Sequence, residues 1–193
     1  MAKQKGIIKL DGTIGGITFY KTTEDGYLAR EKGGVSADKI ANDPAFQRTR
    51  ENGEEFGRAG KAGKLLRNSI RAMLQNASDS RMVGRLTQKM VEVIQEDLTN
   101  PRGQRNVIDG EAELLEGFEF NINGKLGTTL YAPFTGTIDR VAGTLTVNIP
   151  AFVPINMLAA PGGATHFKIV SAGAEVDFEN ETFVMDAQAT AVL

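Results

Sequence analysis

The sequence predicts an α+β protein in three parts: an N-terminal β-ribbon arm over residues 1–40, a central antiparallel helical hairpin over 41–108, and a C-terminal β-sandwich or open barrel over 109–193. Three observations predict it. Turn dipeptides rich in glycine split short apolar runs near the start of the chain; apolar residues recur at helical spacing in the middle; and from about Leu114 the composition shifts to Gly, Thr, Val, Ile and Phe. With 193 residues, 41% apolar and 24% charged, the chain is long enough to bury a core and too apolar to be disordered.

The ribbon rests on "GIIKLDGTIGGITFY" and "GITFYKTTEDGYLAREK". Asp11-Gly12 and Asp25-Gly26 suit the positive-φ positions of tight hairpins, with Ile7, Ile8, Ile17, Phe19, Tyr27 and Leu28 in the strands. Strands this short with so few apolar groups are marginal alone and need another surface to lie on. A polar connector, "KGGVSADKIANDP", follows. Asn42 or Asp43 can cap a helix whose first position is Pro44, where proline's missing N–H costs nothing.

From Pro44 to about Asn76 the period is helical. Phe56, Ala59, Gly63, Leu66, Ile70, Met73, Leu74 and Ala77 fall within an arc of roughly 100° and form the expected core stripe. A second helix is predicted from about Asp79 to Leu98, capped by Ser78 or Asp79, with Met82, Val83, Leu86, Met90, Val93 and Ile94 on one side. "TNPRGQRNVIDGE" then breaks the period. Beyond it, strand-like runs recur every eight to twelve residues with Asn-Gly, Ala-Gly and Glu-Asn turns, the spacing of a sandwich or barrel. The chain stops on "ATAVL", a strand-like end of the kind that pairs with another chain or marks a processed product.

The glycine-rich stretch "GRAGKAGK" invites a nucleotide-loop reading, which fails. A phosphate-cradling loop needs glycine at position 58, where Arg58 stands, and a hydroxyl at 65, where Leu65 stands. No strand precedes it either. Gly53, Gly57 and Gly60 instead align on one side of the helix beside Phe46 and Lys64, away from the core stripe. Each glycine costs a helix interior roughly 1 kcal/mol relative to alanine, so three in line predict close approach of another backbone. The alternative is a helix start broken at those glycines.

Charge is uneven. Lys and Arg stand against Asp and Glu at seven to six in residues 1–47, twelve to seven in 48–107 and three to eleven in 108–193. A basic middle and an acidic end can dock on each other or on the next copy. Lys64, Arg67, Arg71, Arg81 and Arg85 form the basic surface expected to meet phosphate if nucleic acid is bound, although the pI near 5.6 is on the wrong side for a dedicated binder.

Catalytic constellations are scarce. His166 is the single histidine and sits in a strand-like run; no serine occupies a nucleophile elbow; and the absence of cysteine excludes disulfides and thiolate metal sites. Carboxylates cluster at Glu111, Glu113, Glu116 and Glu119 and at Glu175, Asp177, Glu179 and Glu181, where charge on strand edges is the simpler reading than a sugar or calcium site. No cofactor, metal or small-molecule substrate is expected, and no catalytic residues. The chain has no apolar run long enough to span a membrane and no secretory signal, so synthesis in the cytoplasm is expected, with an extracellular assembled particle as a further destination.

"IGGITFYKTTEDGYLAREKGG" followed by "NDPAFQRTRENGEEFGRAGKAGKLLR" resembles a group of uncharacterised bacterial proteins with an N-terminal β-ribbon, a basic helical hairpin and a β-rich C-terminal part. The resemblance covers mainly residues 6–75 and implies organisation and further strands past position 193, with no catalytic residues to carry over. The resulting expectation is a non-enzymatic structural protein that assembles into a homomeric filament, tube or phage-like particle through strand exchange and helix packing. The interface would use Ile7, Ile8, Ile17, Phe19, Tyr27, Leu28, Phe46, Gly53, Gly57 and Gly60. A nucleic-acid-binding or packaging accessory is the alternative, and a carbohydrate-directed β-domain a third class.

Overall fold

The computed structural model describes residues 2–193, and its contacts divide the chain into two compact units, 1–50 and 51–193. Helix and strand are mixed, and every sheet is small and antiparallel.

The first unit holds a four-stranded sheet of β1 (Ala2–Lys3), β2 (Gly12–Ile14), β3 (Ile17–Thr22) and β4 (Gly26–Glu31), in the order β1-β4-β3-β2. The Asp25-Gly26 turn lies where the sequence places it: the Asp25 amide donates to Thr22 Oγ1 at 3.0 Å and Gly26 takes φ +75°. The other hairpin differs from expectation. Ile14 pairs with Ile17 across Gly15-Gly16, and Gly12 opens β2 instead of making the turn. Gly15 at φ +58° supplies the left-handed residue a two-residue hairpin requires. Leu28 is the unit's one buried apolar side chain among the described residues; Phe19, Tyr20 and Tyr27 are half-buried, and Ile7, Ile8, Ile14 and Ile17 are exposed.

The connector contains a short helix the sequence reading missed. Ser36 caps α1 (Ala37–Asn42), and Asp43 Oδ1 accepts the Ala45 amide at 2.9 Å to cap a 3-10 turn at Pro44–Phe46. Arg50 Nη1 donates to the Ile40 and Asp43 carbonyls at 2.6 and 3.0 Å, tying α1 to the start of α2 (Gln47–Ser69).

α2 runs unbroken through Gly53, Gly57 and Gly60, so the broken-start alternative falls. It ends earlier than the sequence suggests: Ile70 leaves helical geometry at φ −112°, ψ 23°, and a single turn, α3 (Arg71–Leu74), follows before α4 (Met82–Gln95). The core of the second unit gathers Ala59, Ala62, Leu74, Met82, Leu86, Met90, Val93, Ile94 and Val107. Gly63 lies where a Cβ would sit 3.7 Å from both Leu86 and Met90, letting α4 side chains reach the α2 backbone. Phe56, expected in the core stripe, is 61% exposed. Buried Glu55 shifts the packed face, centring it on Glu55, Ala59, Ala62 and Leu66.

Two short helical turns, α5 (Leu126–Thr129) and α6 (Pro154–Met157), are joined by a bridge between Leu130 and Leu158. The C-terminal strands form two hairpins, β5 (Thr135–Asp139) with β6 (Thr144–Asn148) and β7 (Val170–Asp177) with β8 (Thr182–Ala189), as separate two-stranded sheets.

Candidate assembly surfaces

A polar network in the second unit joins α2 to the segment 97–109. Asp97 is buried and accepts four hydrogen bonds, from the amides of Thr99 (2.8 Å), Asn100 (3.0 Å) and Asn106 (3.0 Å) and from Asn100 Nδ2 (2.9 Å). Burial alone would raise its pKa; the Asn100, Asn106 and Thr99 donors outweigh it and bring the carboxyl down to about 2. Asp109 Oδ2 accepts from Asn100 and Asn106 Nδ2, both at 2.9 Å, closing the segment on itself.

One face of α2 holds this segment. Buried Glu55 accepts the Gly103 amide at 2.8 Å and lies 3.8 Å from Arg105 Nε, while Arg58 Nη1 donates to the Gly103 and Arg105 carbonyls. Asn52 accepts from Arg102 at 2.7 Å, and Glu51 lies 3.7 Å from Arg102 Nε. Gly103, at φ +86°, has no room for a side chain: a Cβ would lie 2.9 Å from Glu51 Cγ. None of these residues was singled out for this role from sequence. The available signal was the density of Asn, Asp, Gly and Pro between 97 and 110, the composition of a tightly turned loop.

The basic residues separate into two groups. Arg58 is committed to carbonyls, and Arg67 donates Nε to the Gly63 carbonyl at 3.1 Å. Arg85 pairs with Asp79 at 2.9 Å, donates to the Glu119 carbonyl at 2.7 Å and lies 5.8 Å from the Phe118 ring centre. Asp79 also accepts the Ile122 amide at 2.9 Å, the leading cause of its lowered pKa, so the pair clamps residues 118–122 to the start of α4. Arg85, expected as open basic surface, is therefore an internal clamp. Lys61, Lys64, Arg71 and Arg81 remain exposed. Lys61 and Glu181 line one cavity of about 200 Å³ with Arg58, Leu65, Val107 and Phe178.

The glycine face of α2 is open. A Cβ built on Gly53, Gly57 or Gly60 meets nothing within 4 Å. Phe46 beside them is half-buried and Lys64 exposed. Of the expected ribbon contacts, Ile7, Ile8 and Ile17 are exposed, Phe19 and Tyr27 half-buried, and Leu28 is buried within its own unit.

The hairpin β5–β6 alternates cleanly. Gly136, Ile138, Leu145 and Val147 share one face, since Ile138 pairs with Leu145 and Gly136 with Val147, while threonines, Asp139 and Asn148 occupy the other. That apolar face is covered only in part: Ile138 is 69% exposed, while Leu145 lies against Gly173 of β7. It borders β7–β8 across a groove of about 830 Å³, narrowed where Leu145 Cδ1 comes within 3.3 Å of a Cβ position on Gly173.

His166 is exposed, its Nδ1 2.8 Å from Thr165 Oγ1. Asp177 accepts from Asn180 Nδ2 (2.7 Å) and from the amides of Asn180 and Glu179, and the first of these leads in lowering its pKa. It is a turn-former between β7 and β8, next to Glu181 at φ +54°. Among the described residues no three His, Cys, Asp or Glu side chains converge as metal ligands, and no helix is long and apolar enough to cross a membrane.

These features define a mixed helix–strand protein of small antiparallel sheets. No family model, no curated protein and no solved structure matches the chain.

Proposed function

We propose that the chain is a structural protein that assembles with copies of itself into a homomeric particle such as a filament or tube. One observation carries this reading. The chain exposes 14121 Å² at a mass of 20.8 kDa. A folded domain of that mass exposes about 9,000 Å², and two independent domains the size of its units about 10,500 Å². The excess, roughly 3,600 Å² or more, is of the order buried in obligate interfaces. Its composition fits that use, since Ile7, Ile8, Ile138, Val141, Ile155 and Val184 are all largely exposed.

Three surfaces would share the contacts. The glycine stripe of α2 admits a neighbouring backbone, the unpaired edges of the C-terminal hairpins accept added strands, and the apolar face of β5–β6 takes a cover. On this reading the C-terminal hairpins close into a β-sandwich in the assembled state. The resemblance to ribbon–helix–β proteins agrees with the same organisation. Sedimentation velocity and electron microscopy of the purified chain, without ligand, test it: concentration-dependent growth into regular particles is expected, and a stable monomer at tens of micromolar overturns it.

A further inference from the structure

Two of the open surfaces are complementary to each other. The first is the loop joining β1 to β2. Gln4 closes it, with Oε1 accepting the Leu10 amide at 2.9 Å and Nε2 donating to the Leu28 and Leu10 carbonyls at 2.9 and 3.3 Å. Lys9 Nζ donates to the Gln4 carbonyl at 2.6 Å. These bonds hold residues 5–9 as a bend that presents Ile7 and Ile8 to solvent between Lys5 and Lys9, with no acidic residue among them. A preformed apolar knob loses little conformational entropy on docking.

The second surface is the groove between β5–β6 and β7–β8. Its apolar contacts are Ile138, Leu145 and Val184, and its charges are Asp139, Glu175 and Asp186 against Arg140 alone. Glu175 pairs directly with Val184 across the hairpin, and Gly173 with Asp186, so apolar and acidic groups share one face of β7–β8.

We propose that the Ile7–Ile8 loop of one copy inserts into the groove between the two C-terminal hairpins of the next, with Lys5 meeting the acidic rim. The inference rests on the self-assembly reading and names its contact. Because knob and groove are different surfaces, the contact is head-to-tail: it repeats from copy to copy and builds either a ring or a filament. The isoleucines supply the filling that two hairpins lack between them.

The chain has no cysteine, so introduced pairs report contacts without background. Ile8→Cys combined with Val184→Cys places thiols at two exposed positions, 80% and 73% exposed, outside the packed core. Mild oxidation is expected to give a ladder of dimers, trimers and longer species on a non-reducing gel, while either single variant stops at a dimer. Separately, Ile7→Asp with Ile8→Asp should leave the melting temperature unchanged and raise the concentration for half-assembly by about tenfold or more.

Particles that form normally in the Asp variant, with no ladder from the cysteine pair, overturn this contact and leave self-assembly standing. A disulfide closing within single chains overturns it too, placing the loop in its own groove. A wild-type chain that stays monomeric at tens of micromolar removes both.

Discussion

Asp97 shows how the role of one residue can be hidden in sequence. An acid at the end of a helix opposes the helix dipole, a weak cost. In the structure it organises the following turn, its oxygens filled by Thr99, Asn100 and Asn106. Its pKa stands at about 2 against an ordinary 3.8, so the folded state binds this proton less readily than the unfolded chain. Its stabilisation is complete above about pH 4 and is lost as pH falls through about 2. Urea midpoints between pH 5 and pH 2 should therefore fall steeply for the wild type. Asp97→Asn should start lower at pH 5 and decline less, with the remaining slope coming from Asp79 and Asp177, whose pKa values are also lowered. An unchanged slope in the variant would assign the acid sensitivity elsewhere. Gly110 sits beside this turn with a comparable lesson: a Cβ there would lie against the Val93 carbonyl, a constraint set by distant backbone that local sequence does not encode.

The elements were legible where periodicity is strong and obscure where ends are set by single residues. The apolar stripe of α4 follows from spacing except at Val83, which is exposed, and the helix through "EFGRAGKAGK" is the continuous one of the two readings spacing allowed. The stop at Ser69, the short α1 and the hairpin at Gly15-Gly16 depend on local dihedrals and caps, which residue type restricts only loosely. Phe56 was assigned to the core by its angle, and the structure gives that side of α2 to Glu55 and the loop it anchors. The glycine stripe yields opposite expectations for two substitutions. Alanine at Gly53, Gly57 and Gly60 meets open space, so each should stabilise the chain by up to about 1 kcal/mol through helix propensity. Leucine at Gly57 and Gly60 should also be tolerated by the isolated chain, while filling the space a neighbouring backbone would occupy. Thermal melts check the first effect. Particle counts by electron microscopy check the second, and normal assembly of the leucine variant would strike the stripe from the interface.

At the scale of the whole molecule, cohesion is uneven. α2, α3, α4 and the 97–110 segment share a core with Asp97 and Glu55 bound inside it, whereas β5 and β6 are exposed along their full length. An isolated two-stranded hairpin in water is marginal at best. Its amides open with little free-energy cost unless something covers it, whereas those of α4 open only with the core. Hydrogen exchange followed by mass spectrometry at two protein concentrations separates these regions. In dilute solution, peptides from 135–148 should exchange within seconds while those from 82–95 stay protected, with 170–189 between them because β7 is half-buried and Phe178 packs on the core. Raising the concentration into the assembling range should slow exchange in the hairpins and at residues 5–10, and leave α4 unchanged. Protection of 135–148 already in dilute solution would mean that the chain covers these strands by itself, and the surplus surface would then no longer call for a neighbour.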